Sequence, residues 1–153
     1  MGYEVRESGG TYAPGSLVLD SSVAMRWLIA SGKPADQRYA RAVRDHIQQH
    51  RPQVLVPYLW TYEAANVVAQ YVRLGELEFG IASNTLVALQ ELCSVSIDRE
   101  TPIALFEVAN EHGVTAYDAA YLLLARNAGV PLATLDKKMR KVARNMGITA
   151  FNV

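Results

Sequence analysis

Short unbroken apolar runs alternate along the chain with longer stretches whose apolar residues recur every three or four positions. The runs are Leu17–Leu19, Gln53–Val56, Ser94–Ile97 and Pro131–Leu135, with a last extended segment at Thr149–Val153. Runs without polar alternation suit strands buried on both faces, as parallel strands covered by helices are. Between them the spacing predicts helices over Ser22–Ala30, Ala35–His50, Tyr58–Leu74, Leu77–Leu92, Thr101–Glu111, Val114–Ala125 and Lys137–Met146. Ser31-Gly-Lys-Pro34 breaks the first of these, Pro57 precedes the third, and Gly75, Gly113 and Gly147 stand where helices stop. Strands alternating with helices form βαβ units, so the expected fold is α/β, with a parallel sheet and helices on both faces. No repeat or linker divides the chain. The expected domain runs from 16 to 153, after a polar, glycine-containing leader over 1–15.

The 153 residues are enough to bury roughly 70% of the surface of the unfolded chain. Lys plus Arg and Asp plus Glu each number 15, which excludes a simple polycation and leaves nucleic-acid binding to a local patch. The lone Cys93 forms no internal disulfide and suits a reducing compartment. No apolar run approaches the roughly 20 residues of a membrane span, and the leader lacks the apolar core of a signal peptide. A cytoplasmic protein without a membrane segment is expected. Two charge patterns stand out: Arg38, Arg41 and Arg44 at threefold spacing, and Lys137, Lys138, Arg140, Lys141 and Arg144 in the last helix. Both fit a solvated face, and the second also suits phosphate contacts beside an acidic pocket. Phe79, Ile81, Leu86, Val87, Leu89 and Leu92 give the fourth helix more apolar surface than a small exposed helix needs, for core packing or a subunit interface.

Four carboxylates occupy positions with chemical potential. Asp20 and Asp136 end two of the buried runs, Asp118 opens a helix that is apolar nearly all round, and Glu63 lies on the Trp60, Val67 and Leu74 stripe. Each has a plainer role: Asp20 and Asp136 as helix caps, Asp118 in a Thr115-x-x-Asp118 capping box, and Glu63 as a stripe-edge residue reaching solvent. Their conjunction carries the argument. In a doubly wound sheet all four can converge at the carboxyl edge, where ligands bind. Two carboxylates about 4 Å apart repel by about 4 kcal/mol at an effective dielectric of 20, so four together need a cation. Oxygen-only ligands point to Mg²⁺ or Mn²⁺, and the scattered His46, His50 and His112 offer no competing zinc site. Such an ion also binds phosphate oxygens and activates water, which suits phosphodiester hydrolysis. No Ser-His or Cys-His arrangement and no glycine-rich phosphate loop is recognisable.

With these residues in place the chain resembles the PIN-domain nucleases, above all the VapC-like toxins of toxin-antitoxin pairs. Four blocks carry the resemblance: Val-Leu-Asp20-Ser-Ser22, Pro57-Tyr-Leu-Trp-Thr-Tyr-Glu63-Ala-Ala-Asn66, Ala116-Tyr-Asp118-Ala-Ala-Tyr-Leu122 and Leu132-Ala-Thr-Leu-Asp136-Lys-Lys138. The resemblance implies a three-layer α/β/α domain with parallel strand order 3-2-1-4-5 and Mg²⁺- or Mn²⁺-dependent cleavage of RNA. It implies Asp20 and Asp118 as principal metal ligands, Glu63 and Asp136 as completing the acidic pocket, and Ser22, Asn66 and Thr134 as polar supports nearby. It further implies a homodimer and a cognate VapB-like antitoxin whose segment enters the acidic groove. The alternative is a PIN-type module that binds RNA or a protein with little or no catalysis. A phosphotransfer domain also gathers acids at strand ends but would want an adjacent acidic pair, whereas Ser21 and Ser22 follow Asp20.

Overall fold

The computed structural model describes residues 11–30, 32–96 and 99–153. Four short strands, β1 (Leu17–Leu19), β2 (Val54–Val56), β3 (Cys93–Val95) and β4 (Leu132–Ala133), form one sheet in the order β3-β2-β1-β4. Every neighbouring pair is parallel, and Val18 at the centre stands opposite Leu55 on one side and Leu132 on the other. Parallel neighbours need crossovers, and among the described residues six helices supply them, α1 (Ser21–Leu28), α2 (Pro34–His50), α3 (Trp60–Arg73), α4 (Phe79–Leu92), α5 (Pro102–His112) and α6 (Ala116–Ala128), while α7 (Lys137–Asn145) follows β4. Helices lie on both faces, which is why β1, β2 and β4 are buried along their whole length.

The sheet runs outward from β1 through β2 to β3, then crosses back to place β4 on the other side of β1. The reversal opens a crevice at the carboxyl ends of β1 and β4. The ladder reaches into that crevice, because the Asp20 amide still donates to the Ala133 carbonyl at 2.9 Å. Asp20 therefore takes its position from the most buried strand of the fold.

Tyr121, Leu17, Leu19, Leu122, Leu123, Leu132 and Met139 are the largest fully buried side chains. Truncating any of these leucines to alanine would cost about 2–5 kcal/mol through lost burial and the cavity left behind. Helix α6 is the central helix of this core, with Ala119 to Leu123 and Ala125 all buried. Thr115 and Asp118 begin it with a reciprocal capping box, and Gly129 ends it at φ 65°, a left-handed conformation that glycine adopts without steric cost.

Two expectations are corrected. The fifth strand over Thr149–Val153 is reduced to a single parallel bridge between Ala150 and Leu132, so the sheet has the first four members of the order 3-2-1-4-5 and only a trace of the fifth. The segment is held there by Tyr39, whose hydroxyl donates to the Phe151 carbonyl at 2.8 Å, and by the buried Phe151 ring. On α3 the buried stripe is Trp60, Ala64 and Val68, not Trp60, Val67 and Leu74, and Leu74 is 61% exposed. A step of four follows the core here where steps of seven were expected, which rotates the stripe and leaves Glu63 at its edge, half-buried. Of the expected third strand, Ile97 lies outside the described residues, as does the leader as far as residue 10. Tyr12, at the end of that leader, packs against the core.

Candidate active site

Asp20 stands at the N-cap of α1, yet its side chain makes no capping hydrogen bond. The residue is 6% exposed, and its carboxylate turns across the sheet edge instead. Oδ2 accepts from Ser22 Oγ at 2.6 Å and from Thr134 Oγ1 at 2.7 Å. Both hydroxyls are themselves engaged, Ser22 Oγ accepting from the Leu135 amide at 3.1 Å and Thr134 Oγ1 from the Asp136 amide at 3.1 Å. A hydroxyl has one proton to give, so with an amide on its acceptor side it is oriented toward the carboxylate. The two backbone amides are thereby relayed onto a single oxygen of Asp20, and Oδ1 is left outside this network.

Glu63 is held from the opposite side. The Tyr121 hydroxyl, on a side chain 1% exposed, donates to Glu63 Oε2 at 2.5 Å, which links α6 to α3. Asp118, one turn before Tyr121 on α6, has its Oδ2 bonded by the Thr115 amide at 3.2 Å and remains partly exposed. The acids feel one another. Burial pushes the Asp20 carboxyl above the usual carboxylate range, the Ser22 and Thr134 hydroxyls pull it back, repulsion from Asp118 raises it again, and the Ser22 amide gives a smaller opposing field. Glu63 is likewise raised by burial, lowered by Tyr121, and raised again by the charges of Asp20 and Asp118. The Tyr121 hydroxyl is pushed far above its ordinary value by burial and by Glu63, so it stays a donor.

The structure thus brings Asp20, Glu63 and Asp118 into one electrostatic group. Asp136 is tied to the group through Thr134, and its own carboxylate caps α7, with Oδ1 accepting from the Met139 amide at 2.9 Å. Ser22 and Thr134 are bonded to Asp20 as expected. Asn66 is exposed one turn on from Glu63, and its side chain makes no hydrogen bond to a described residue. In the sequence Tyr121 reads as one more apolar position of its helix. The available signal was its spacing, since residues three apart share a helix face and Tyr121 stands three after Asp118. Among the described residues no three His, Cys, Asp or Glu side chains form a ready metal cage. The chemistry of the donors nevertheless fits a hard cation: all are carboxylates, they repel one another, and Asp20 Oδ1 and Glu63 Oε1 lie outside the hydrogen bonds that fix their partner oxygens. The acids do not line the cleft of about 660 Å³ whose walls include Tyr58, Tyr62, Arg99 and Leu105.

A mixed-helix parallel sheet with acids at its reversal point defines a class, and comparison with known proteins gives that class its name. The PIN domain family model matches residues 17–145, nearly the whole of the described fold. The chain belongs to the PIN-domain family. Among its relatives is Exonuclease VapC9 of Pyrobaculum aerophilum, 33% identical over 107 residues that cover 69% of this chain and 79% of that protein. Ribonuclease VapC3 of the same organism is 40% identical over 84 residues, covering 53% of this chain and 64% of VapC3. In structure the chain is similar to PAE2754 from Pyrobaculum aerophilum, with a TM-score of 0.65 at 24% identity, covering 90% of this chain and 88% of that one. It is similar also to FitAcB from Neisseria gonorrhoeae, with a TM-score of 0.53 at 19% identity, covering 89% and 96%. These two likenesses show the fold. No described helix is long and apolar enough to cross a membrane.

Proposed function

We propose that this chain is a metal-dependent endoribonuclease, the toxin of a type II toxin-antitoxin module, acting in the cytoplasm on RNA phosphodiester bonds. The observation that carries the reading is the mutual repulsion of Asp20, Glu63 and Asp118 at the carboxyl edge of the sheet, with one oxygen of Asp20 saturated by hydroxyls and the other left over. The names of the VapC9 and VapC3 relatives, an exonuclease and a ribonuclease, support nuclease chemistry. Asp20 and Asp118 would hold Mg²⁺ or Mn²⁺ as principal ligands, with Glu63 and Asp136 completing the pocket. When bound, such an ion lowers the pKa of an attacking water and offsets charge building on the phosphate.

The protein's own contribution is orientation. Ser22 and Thr134 fix Asp20, and Tyr121 fixes Glu63. Asp20 or Glu63, where not engaged with the ion, is placed to take a proton from water, since burial has already raised its proton affinity. An antitoxin segment bearing a cation would relieve the same repulsion and silence the site, and a homodimer would place two such sites in one particle.

The decisive experiment is incubation of total RNA, purified tRNA and rRNA with the protein and Mg²⁺ or Mn²⁺, with chelator, and with Asp118→Asn. Asparagine retains an oxygen for the Thr115 amide, so the cap of α6 survives the change. Cleavage that needs both the metal and Asp118 is expected. Equal inertness of wild type and variant, with RNA or a protein partner still bound, would replace catalysis by binding.

A further inference from the structure

Helix α7 leaves Asp136 carrying five cations and no acid in nine residues. Its inward face is Met139, Val142 and Ala143. Lys138 and Arg140 flank that face and are used to strap the helix down: the Lys138 ammonium donates to the Gly113 carbonyl, and Arg140 donates through Nε to the Thr134 carbonyl at 2.8 Å while stacking 4.8 Å over the Tyr39 ring. Lys137, Lys141 and Arg144 stand at i, i+4 and i+7 on the opposite side, all exposed, and none forms an ion pair with a described residue.

Local energetics do not account for this stripe. Lys137 in the first turn opposes the helix dipole, which favours only Arg144 in the last turn, and like charges four apart repel, each by a few tenths of a kcal/mol. In a chain whose formal charge sums to zero, five cations gathered on one short helix are also a deliberate asymmetry. An external anion would compensate them. The position of the stripe says which one. It starts one residue beyond Asp136, beside an acid group that repels the very phosphates it would act on. From Lys137 to Arg144 the stripe spans roughly 10 Å at the rise of an α-helix, the length of a few nucleotides and not of a single phosphate.

Building on the nuclease reading, we propose that Lys137, Lys141 and Arg144 form the track that grips the phosphodiester backbone of a single RNA strand as it leaves the acid group. The contacts are to phosphates, so the track supplies affinity and placement and no base sequence preference.

The test is binding of a labelled single-stranded RNA oligomer across a salt series. It uses Asp118→Asn protein, to stop cleavage, with and without Lys137→Gln, Lys141→Gln and Arg144→Gln together. A control removes three exposed arginines elsewhere, Arg38→Gln, Arg73→Gln and Arg126→Gln. The α7 triple should weaken binding at low salt by tenfold or more and reduce the slope of log affinity against log salt by about 2, at roughly 0.7 per phosphate contact on a single strand. The control should do little, and circular dichroism should show all variants folded. Unchanged affinity and slope in the α7 triple, an equal loss in the control, no RNA binding by the parent, or rescue of the stripe's role by an acidic protein instead of RNA would each overturn the track. Wild-type cleavage of the same oligomer is run alongside. Cutting that persists with unaltered binding by the α7 triple overturns the track alone, while absence of cutting overturns the nuclease reading and leaves the binding result to judge the track.

Discussion

Thr134 and Asp20, 114 residues apart in the chain, meet at 2.7 Å in a buried contact where the hydroxyl of one donates to the carboxylate of the other. Thr134 also accepts the Asp136 amide, so one side chain sets the orientation of the acid after β1 and the start of α7 after β4. Thr134→Val keeps the shape and removes the hydroxyl, leaving a carboxylate oxygen and an amide each short of a partner. The expected cost is about 1–3 kcal/mol in urea unfolding. Because Asp20 loses a donor that favours its charged form, RNA cleavage should also fall about 10- to 100-fold, and Thr134→Ser should restore most of it. A valine variant with native cleavage would remove Thr134 from the machinery.

The raised proton affinities of Asp20 and Glu63 give the metal-free protein an unusual pH dependence. Their folded pKa values lie above the unfolded ones, so the native state keeps protons that the unfolded chain has already released. Stability should therefore be highest below the unfolded carboxylate pKa of about 4, and fall as pH rises through the window up to the raised folded values. Asp20 alone contributes a slope of at most about 1.4 kcal/mol per pH unit within that window. Thermal melts in chelator from pH 4 to 8 should show the decline, Asp20→Asn should flatten it, and Mg²⁺ or Mn²⁺ should raise Tm at pH 7.5 more than at pH 4.5. A melting temperature of the chelated protein that climbs steadily with pH would contradict the sign.

Tyr121→Phe isolates the second support. The ring stays in the core and only the hydroxyl on Glu63 Oε2 is lost. Glu63 is then both freer to turn and less inclined to ionise, since Tyr121 is what lowers its proton affinity. Calorimetric titration with Mn²⁺ should give an affinity weaker by about 10- to 100-fold, with cleavage reduced in parallel. Unaltered Mn²⁺ affinity would make Tyr121 a core residue that happens to touch an acid.

The fold was largely legible because the strands are apolar runs too short to be helices, and their separation by helical spacing leaves few alternatives to a parallel sheet. The apolar pattern overstates the last strand: Ala150 pairs with β4 only at one bridge, since the segment is fixed by a tyrosine from α2 that no local pattern announces. The acids were legible as positions after strands and in a first turn, and three of them do form one group. Which of them also cap helices was not. Asp20 looks like a cap but is held by the Ser22 and Thr134 hydroxyls, whereas Asp118 and Asp136 do cap, and only three-dimensional partners separate the cases. Tyr121 stayed hidden because a tyrosine within an apolar helix is read for its ring, and its hydroxyl matters only once α3 brings Glu63 against it.

Crowding acids at the end of the central strand also shapes what mutation can do to this chain. Replacing Asp20 with its amide keeps an oxygen for Ser22 and Thr134 and removes a charge that burial and Asp118 both oppose, so the altered protein should fold more firmly than the original. If Asp20 holds the metal as proposed, such a change inactivates the protein yet is invisible to cellular quality control, which removes loose chains and spares tight ones. On the proposed nuclease reading, a gene freed from the need for its activity would thus lose Asp20 on a downhill path, and would leave behind well-folded and silent protein.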